Sequence, residues 1–457
     1  MQQCPYCDAI LDEVSLITNV CSSCNEVLGE ISQTMRTLRV DSRTPLSTLE
    51  VKTTLPGVKT IITSTADDDG LPDDLPSTVP ASSSMVLNRR SFSEEKKDGK
   101  SETDYVVIKK IGEGGMGVVE EARQNSLNRI VAIKILGNYK GSDAASNFTR
   151  EAKVTGSLEH PNIVPIYDLG TDEKDKPFYA MKRIQGRSWS AVLEEKSLTE
   201  NIDILLHVCD AVAYAHSRGI IHRDLKPENV MLGDYGEILL MDWGLAAGMW
   251  EGAAAPRVRY EDAIAGTPAY MAPEMARGEE DVIGFQSDVY LLGAILFEII
   301  TGEQPHNGSS INDCLAKASE NKLVDAWVDS QLLKTAKKAM ASRPEDRFAN
   351  VRELQDAIRT NTQSIMAATR ARQAHSKAAK TGNYLDYFRS IGGYMEALEI
   401  WGGNEEARKA LDGLVLEFAG IARVNGDLHL AESLLDVKNE QHTVLIQRIR
   451  EERRSRT

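Results

Sequence analysis

The feature that most narrows what this chain can fold into is the run His222-Arg223-Asp224-Leu225-Lys226-Pro227-Glu228-Asn229, followed, after two short strand candidates, by Asp242-Trp243-Gly244. Two upstream segments belong with it. Gly112-Glu113-Gly114-Gly115-Met116-Gly117-Val118-Val119 follows one predicted strand and precedes another, so it reads as a hairpin loop rather than a strand-to-helix turn. Glycines without Cβ let backbone N–H groups close over phosphates, although such a loop taken alone is more often just a turn. In Val131-Ala132-Ile133-Lys134 a lysine sits inside an apolar run, where an unpaired ammonium is costly. Phosphate oxygens and Glu151, on the helix candidate around Phe148 to Lys153, would satisfy it; the plain alternative is a lysine snorkelling at a strand edge.

In this chain order the elements resemble the serine/threonine protein kinases of eukaryotic type, in their bacterial form, across residues 104–360. The resemblance implies a two-lobed α+β protein kinase fold, and the patterning agrees with it. Short β-branched runs, Tyr105 to Ile111 and Ile130 to Leu136, come first, and helical periods dominate after Leu198. The implied activity is transfer of the γ-phosphate of ATP to serine or threonine hydroxyls of protein substrates in signalling. Asp224 is then the catalytic base, aiming the substrate oxygen, a contribution of about a hundred- to ten-thousandfold. Lys226 steadies the transferring phosphoryl oxygens, and its place two residues after Asp224 resembles the serine/threonine class. Lys134 and Glu151 complete the catalytic set.

ATP is expected against Gly112, Gly114, Gly115, Gly117, Val119, Ala132, Lys134, the gatekeeper-like Met181, and Ile184 at the end of a hinge that begins at Lys182. Asn229 and Asp242 supply hard oxygen ligands suited to Mg²⁺, with Mn²⁺ as the alternative ion. Glu274, in Ala272-Pro273-Glu274, should pair with Arg347 and brace the helical lobe; Asp288 should bind back to the catalytic-loop backbone, and Gly266-Thr267-Pro268 should face the substrate. A nucleotide-binding scaffold without turnover is the other reading. The presence of Lys134, Asp224, Asn229 and Asp242 argues for catalysis.

Three departures from the family pattern stand out. Trp243 replaces the usual Phe beside the metal-binding aspartate, and Lys182 stands where an acidic hinge residue is usual. Between Leu245 and Gly266 there is no serine or threonine, so the usual phosphosite is missing. Either Glu261 and Asp262 offer Arg223 a permanent carboxylate, or they are ordinary solvated loop charges.

Outside the kinase-like region, residues 1–30 carry Cys4-Pro5-Tyr6-Cys7 and Cys21-Ser22-Ser23-Cys24, two C-x-x-C pairs close to the spacing of a tetrathiolate zinc site. The competing readings are two disulfides or a redox pair. A structural Zn²⁺ in a zinc-ribbon-like docking module is the expectation, since metal binding energy can fold a unit with almost no core. Residues 31–103, rich in Ser, Thr, Pro and Asp, read as a flexible linker in which Arg89-Arg90 precede Ser91 and Ser93.

From 362 to 440 the pattern is α-helical hairpins punctuated by Thr381-Gly382-Asn383 and Asn425-Gly426-Asp427, and residues 441–457 form a basic tail. Docking partners are expected at the cysteine module and the hairpins. A net charge of −15 disfavours nucleic acid and anionic lipid as bulk partners. The longest apolar run, Val289 to Ile300, contains Glu298 and falls short of the roughly twenty residues a bilayer requires. Membrane association is therefore expected only if the chain continues beyond 457. The start lacks the apolar core of a signal peptide, and a reducing, cytoplasmic location fits the cysteines.

Overall fold

The computed structural model describes residues 87–94, 103–114, 117–137, 142–258, 263–325 and 330–456. Cys4, Cys7, Cys21 and Cys24, Gly115, and the Glu261–Asp262 pair lie outside them. Within the stretch read as a linker, residues 87–94 are ordered: β1 (Asn88–Arg89) and β2 (Phe92–Glu94) are strands. They join a sheet made by β3 (Tyr105–Gly114), β4 (Gly117–Gln124), β5 (Arg129–Leu136), β6 (Ile166–Thr171) and β7 (Pro177–Lys182). The seven strands run in the order β1-β6-β7-β5-β4-β3-β2, so one short segment adds a parallel strand to each outer edge. Phe92 explains why so polar a segment docks. Its ring stacks on Tyr105 at 5.4 Å and meets Phe178 edge-on at 4.9 Å, over a core of Ala122, Val131, Ile133 and Ala180.

The hairpin between β3 and β4 forms where the glycines are. Gly114 pairs with Gly117, and a Cβ on Gly117 would come within 2.2 Å of the Ile135 carbonyl oxygen. Helix α1 (Ser142–Ser157) packs on this sheet by burying Phe148 and Ala152 against Leu136 and Tyr179. That packing places the next buried side chain of the helix, Glu151, toward β5.

The helical lobe begins after β8 (Gly186–Ser188). Helix α2 (Leu198–Ser217) opens on a full capping box, Ser197 with Glu200. Four short strands follow: β9 (Ile220–Ile221), β10 (Val230–Gly233), β11 (Ile238–Leu240) and β12 (Ala247–Gly248). They pair as β11-β10-β8 and β12-β9, which pins both ends of the 222–229 run. Then come α3 (Pro273–Arg277), α4 (Phe285–Thr301), α5 (Ile311–Ser319) and α6 (Gln331–Ala339). The apolar run noted from the sequence is the centre of this core: every residue of α4 from Ser287 to Phe297 is buried. Among the described residues no helix is long and apolar enough to cross a membrane.

Helix α7 (Val351–Thr381) runs without a break through 360–362, where the sequence suggests a boundary. Its first half, with Leu354 and Ile358, completes the core of the helical lobe, and its second half, with Ala367, Ala371 and Ala378, starts another. The two expected turns are present. Asn383 caps α8 (Tyr384–Ile400) after Gly382, and residues 425–427 separate α9 (Glu405–Val424) from α10 (Leu428–Ser433). The basic end is α11 (Glu440–Arg456), which buries Ile446 and Ile449 against the preceding helices.

Candidate active site

Strands β9 and β10 hold the His222–Asn229 loop between them, and Asp288, buried at the start of α4, fixes its backbone. The Asp288 carboxylate accepts from the amides of His222 at 2.8 Å and Arg223 at 2.9 Å, and from the ring of His216 at 2.8 Å. Burial alone would raise the Asp288 pKa, but hydrogen bonds from His216 and the backbone outweigh it and hold the acid below its ordinary value. This anchor lets Arg223 adopt φ 70°, a left-handed conformation an arginine rarely enters, and Asp242 follows at φ 61°.

Asp224, the predicted base, is held by three side chains. Its Oδ1 accepts from the Thr267 hydroxyl at 2.8 Å; its Oδ2 accepts from Lys226 Nζ at 2.8 Å and Asn229 Nδ2 at 3.2 Å. Lys226 also donates to Thr267 Oγ1 at 2.7 Å. The Asp224 amide donates to His222 Nδ1, so the His222 proton is on Nε2, directed at the Met241 carbonyl. Thr267, placed near the substrate by resemblance, is thus part of the Asp224 cluster itself.

On the opposite wall Lys134 Nζ donates to both Glu151 oxygens, at 2.7 and 3.0 Å, and Glu151 is 3% exposed. The Tyr179 hydroxyl donates to Glu151 Oε1 at 2.7 Å; burial first, then the Glu151 charge, pushes its phenol well above the ordinary value. Tyr179 is a residue the sequence reading missed, for an aromatic in a strand looks like core until its hydroxyl is placed. Val119, Lys134, Glu151, Met181, Asn229 and Asp242 line one cavity of about 160 Å³, together with Thr155, Val164, Ile166, Tyr179 and Met241.

Ala132 pairs with Met181 in the sheet, and Ile184 packs beside it on Val164 and Leu239. Gly112, Gly114 and Gly117 form the hairpin above. Lys182, the unusual hinge residue, pairs with Glu237 at 3.0 Å.

The donor set for a divalent cation fits this arrangement. The amide nitrogen of Asn229 is committed to Asp224, which leaves its oxygen as the ligand atom. Among the described residues, the Asp242 carboxylate has no hydrogen-bonding or ion-pair partner. The expected brace is also formed: Arg347 and Glu274 make a bidentate pair at 2.7 and 2.8 Å with both side chains fully enclosed. Trp243 is 1% exposed beside His222, its ring centroid 4.6 Å away. The Arg223 guanidinium reaches the backbone carbonyls of Leu245 and Ala263.

A sheet lobe carrying a lysine–glutamate pair, a helical lobe carrying an anchored aspartate, and a metal-suited pair between them define the protein kinase class. The protein kinase domain family matches residues 105–369, and the chain belongs to that family. It is 32% identical over 287 residues to the serine/threonine-protein kinase PknD of Protochlamydia amoebophila, covering 55% of this chain and 29% of that protein. It is 33% identical over 294 residues to the probable serine/threonine-protein kinase PknB of Corynebacterium glutamicum, covering 59% and 44%. With PknB of Lactococcus lactis the identity is 34% over 269 residues, covering 56% and 42%. The chain thus spans less than half the length of these curated relatives.

Proposed function

We propose that this chain is an active serine/threonine protein kinase that transfers the γ-phosphate of ATP to hydroxyls of protein substrates. The observation that carries the reading is the Asp224 cluster. One carboxylate oxygen already accepts from an alcohol, that of Thr267, while the other is tied to Lys226 and Asn229. A substrate serine or threonine presents the same group to the same acceptor. Asp224 orients its oxygen and takes its proton, and Lys226 lies within reach of the phosphoryl oxygens.

Lys134, held by Glu151, directs its remaining N–H toward the nucleotide phosphates, and Met181 and Ile184 border the adenine. Asn229 and Asp242 would hold Mg²⁺, which supplies positive charge against the triphosphate. Purified chain and its Asp224→Asn variant, incubated with labelled ATP, Mg²⁺ and a generic acceptor protein, test the assignment. Labelling should fall by about two to four orders of magnitude with the fold intact; equal labelling overturns it.

The same proposal includes a structural Zn²⁺ on Cys4, Cys7, Cys21 and Cys24, supported by their spacing alone. Metal analysis should find one zinc per chain, lost in Cys4→Ser/Cys7→Ser. A cytoplasmic location, with docking partners at that module and at the helical hairpins, completes the reading.

A further inference from the structure

The segment 87–94 is an unusual piece of the sheet lobe. It crosses from the β6 edge to the β3 edge within a few residues, closing both with main-chain bonds. The Arg90 amide donates to the Thr171 carbonyl at 2.9 Å, and the Ser91 carbonyl accepts from the Tyr105 amide at 3.1 Å. The receiving edge is built for it: a Cβ on Gly170 would come within 2.5 Å of the Asn88 carbonyl oxygen. Arg90 forks onto Asp168 at 3.0 and 3.4 Å, the same carboxylate that accepts from Tyr105, and Arg89 pairs with Asp175. Phe92 fills the end of the sheet core between Tyr105 and Phe178.

Ser91 is the knot of this strap. Its amide donates to Asp104 Oδ2 at 2.9 Å and its hydroxyl does so at 3.0 Å, while the Asp104 amide donates back to Ser91 Oγ at 3.0 Å. A neutral hydroxyl suits that carboxylate. A phosphoryl group there, carrying about −1.5 to −2 at neutral pH, faces Asp104 at contact distance, with the neighbouring Arg89 and Arg90 already committed to Asp175 and Asp168. Release has a route to the active site. Leu87, just ahead of β1, lies in a groove with Ala145, Thr149, Arg150 and Lys153 of α1, the helix that carries Glu151.

From these contacts we infer that Ser91 is a phosphorylation site whose modification unfastens the 87–94 strap from both edges of the sheet and loosens α1. The inference rests on the kinase reading for the source of the phosphate. The Ser91 oxygen attacks the γ-phosphorus of ATP, the bond from that phosphorus to the bridging oxygen breaks, ADP leaves, and the hydroxyl proton passes to Asp224 of the acting site. A docked strap presents its hydroxyl to Asp104, so the acceptor is the undocked segment, in which Arg89 and Arg90 are free of their partners.

Two measurements on the full chain decide the matter. In the first, chain incubated with ATP, Mg²⁺ and a generic acceptor is mapped by mass spectrometry: Ser91 should be modified in the wild type and unmodified in Asp224→Asn. In the second, phosphoserine is installed at position 91 during translation, which requires no activity of the chain itself. Hydrogen exchange at the Tyr105 amide should then be at least about tenfold faster than in the unmodified chain, while Ser91→Ala, which keeps the backbone contacts, changes it by about twofold or less. Equal exchange with and without the phosphate overturns the inference, as does an enzyme that labels the acceptor but leaves Ser91 untouched. Failure to label any acceptor refutes the kinase reading instead, and the exchange measurement then decides the strap on its own.

Discussion

Two ion pairs of nearly equal geometry do opposite work in the two lobes. Arg347 meets Glu274 at 2.7 Å and Lys134 meets Glu151 at 2.7 Å. The first pair is fully enclosed and saturated: Arg347 also donates to the carbonyls of Ala341 at 2.8 Å and Gln286 at 2.9 Å, and Ser287 donates to Glu274. The second, among the described residues, is left incomplete. An ammonium has three donors, Glu151 takes two of them, and Lys134 keeps 17% of its side chain exposed toward the cavity. A saturated pair can only hold the fold; an unsaturated one can bind something else. The same chemistry is structural at one site and functional at the other because of what remains to be bonded.

Breaking the saturated pair should have the largest effect on stability. Arg347→Ala leaves Glu274 charged and enclosed, a loss of about 3–5 kcal/mol, the usual cost of removing one partner of a buried pair. Chemical denaturation of the variant measures it. A loss below about 1 kcal/mol would mean that water reaches Glu274, and the contrast between the lobes would fail.

Lys134→Met should separate the two properties. Glu151 keeps the Tyr179 hydroxyl as a donor and borders an open cavity, so the stability loss should be less than half that of Arg347→Ala. Phosphoryl transfer should nevertheless fall on the order of 10²- to 10³-fold, the usual consequence of deleting one charge-stabilising donor. Titration and turnover on the same preparation check both halves. Equal stability losses in the two variants would show Lys134 to be a structural residue like Arg347.

How much of this was legible beforehand depends on whether a residue announces its partner. Asp224, Lys226, Asn229 and Asp242 sit in one short stretch whose order identifies them, and Glu274 with Arg347 could be paired from the same resemblance. The strap was hidden because its docking depends on one aromatic, Phe92, in a polar segment, and on edges formed by strands far along the chain. The continuity of α7 was hidden for a related reason. The polar run Thr360-Asn361-Thr362-Gln363-Ser364 looks like a boundary, yet Asn361 is buried on Thr335, and Ser364 is buried on the Ala397 carbonyl and Asn404. Polar side chains whose partners are distant read as solvent-facing until the partners are known.

Trp243 gives the smallest expected effect and a sharp check on the saturated–unsaturated contrast. It is as enclosed as Arg347, but among the described residues its indole N–H meets no acceptor. A buried donor left without a partner costs about 1–3 kcal/mol. Trp243→Phe removes that donor but also removes part of a large core side chain, and creating a cavity carries a cost of its own, about 3–5 kcal/mol for complete truncation to Ala. Retaining one aromatic ring keeps most of the contact with His222, so the two terms should offset to a net change of about 1 kcal/mol or less in thermal unfolding. A loss approaching the full truncation value would show that the indole N–H is satisfied, placing Trp243 with Arg347 among the residues that hold the fold.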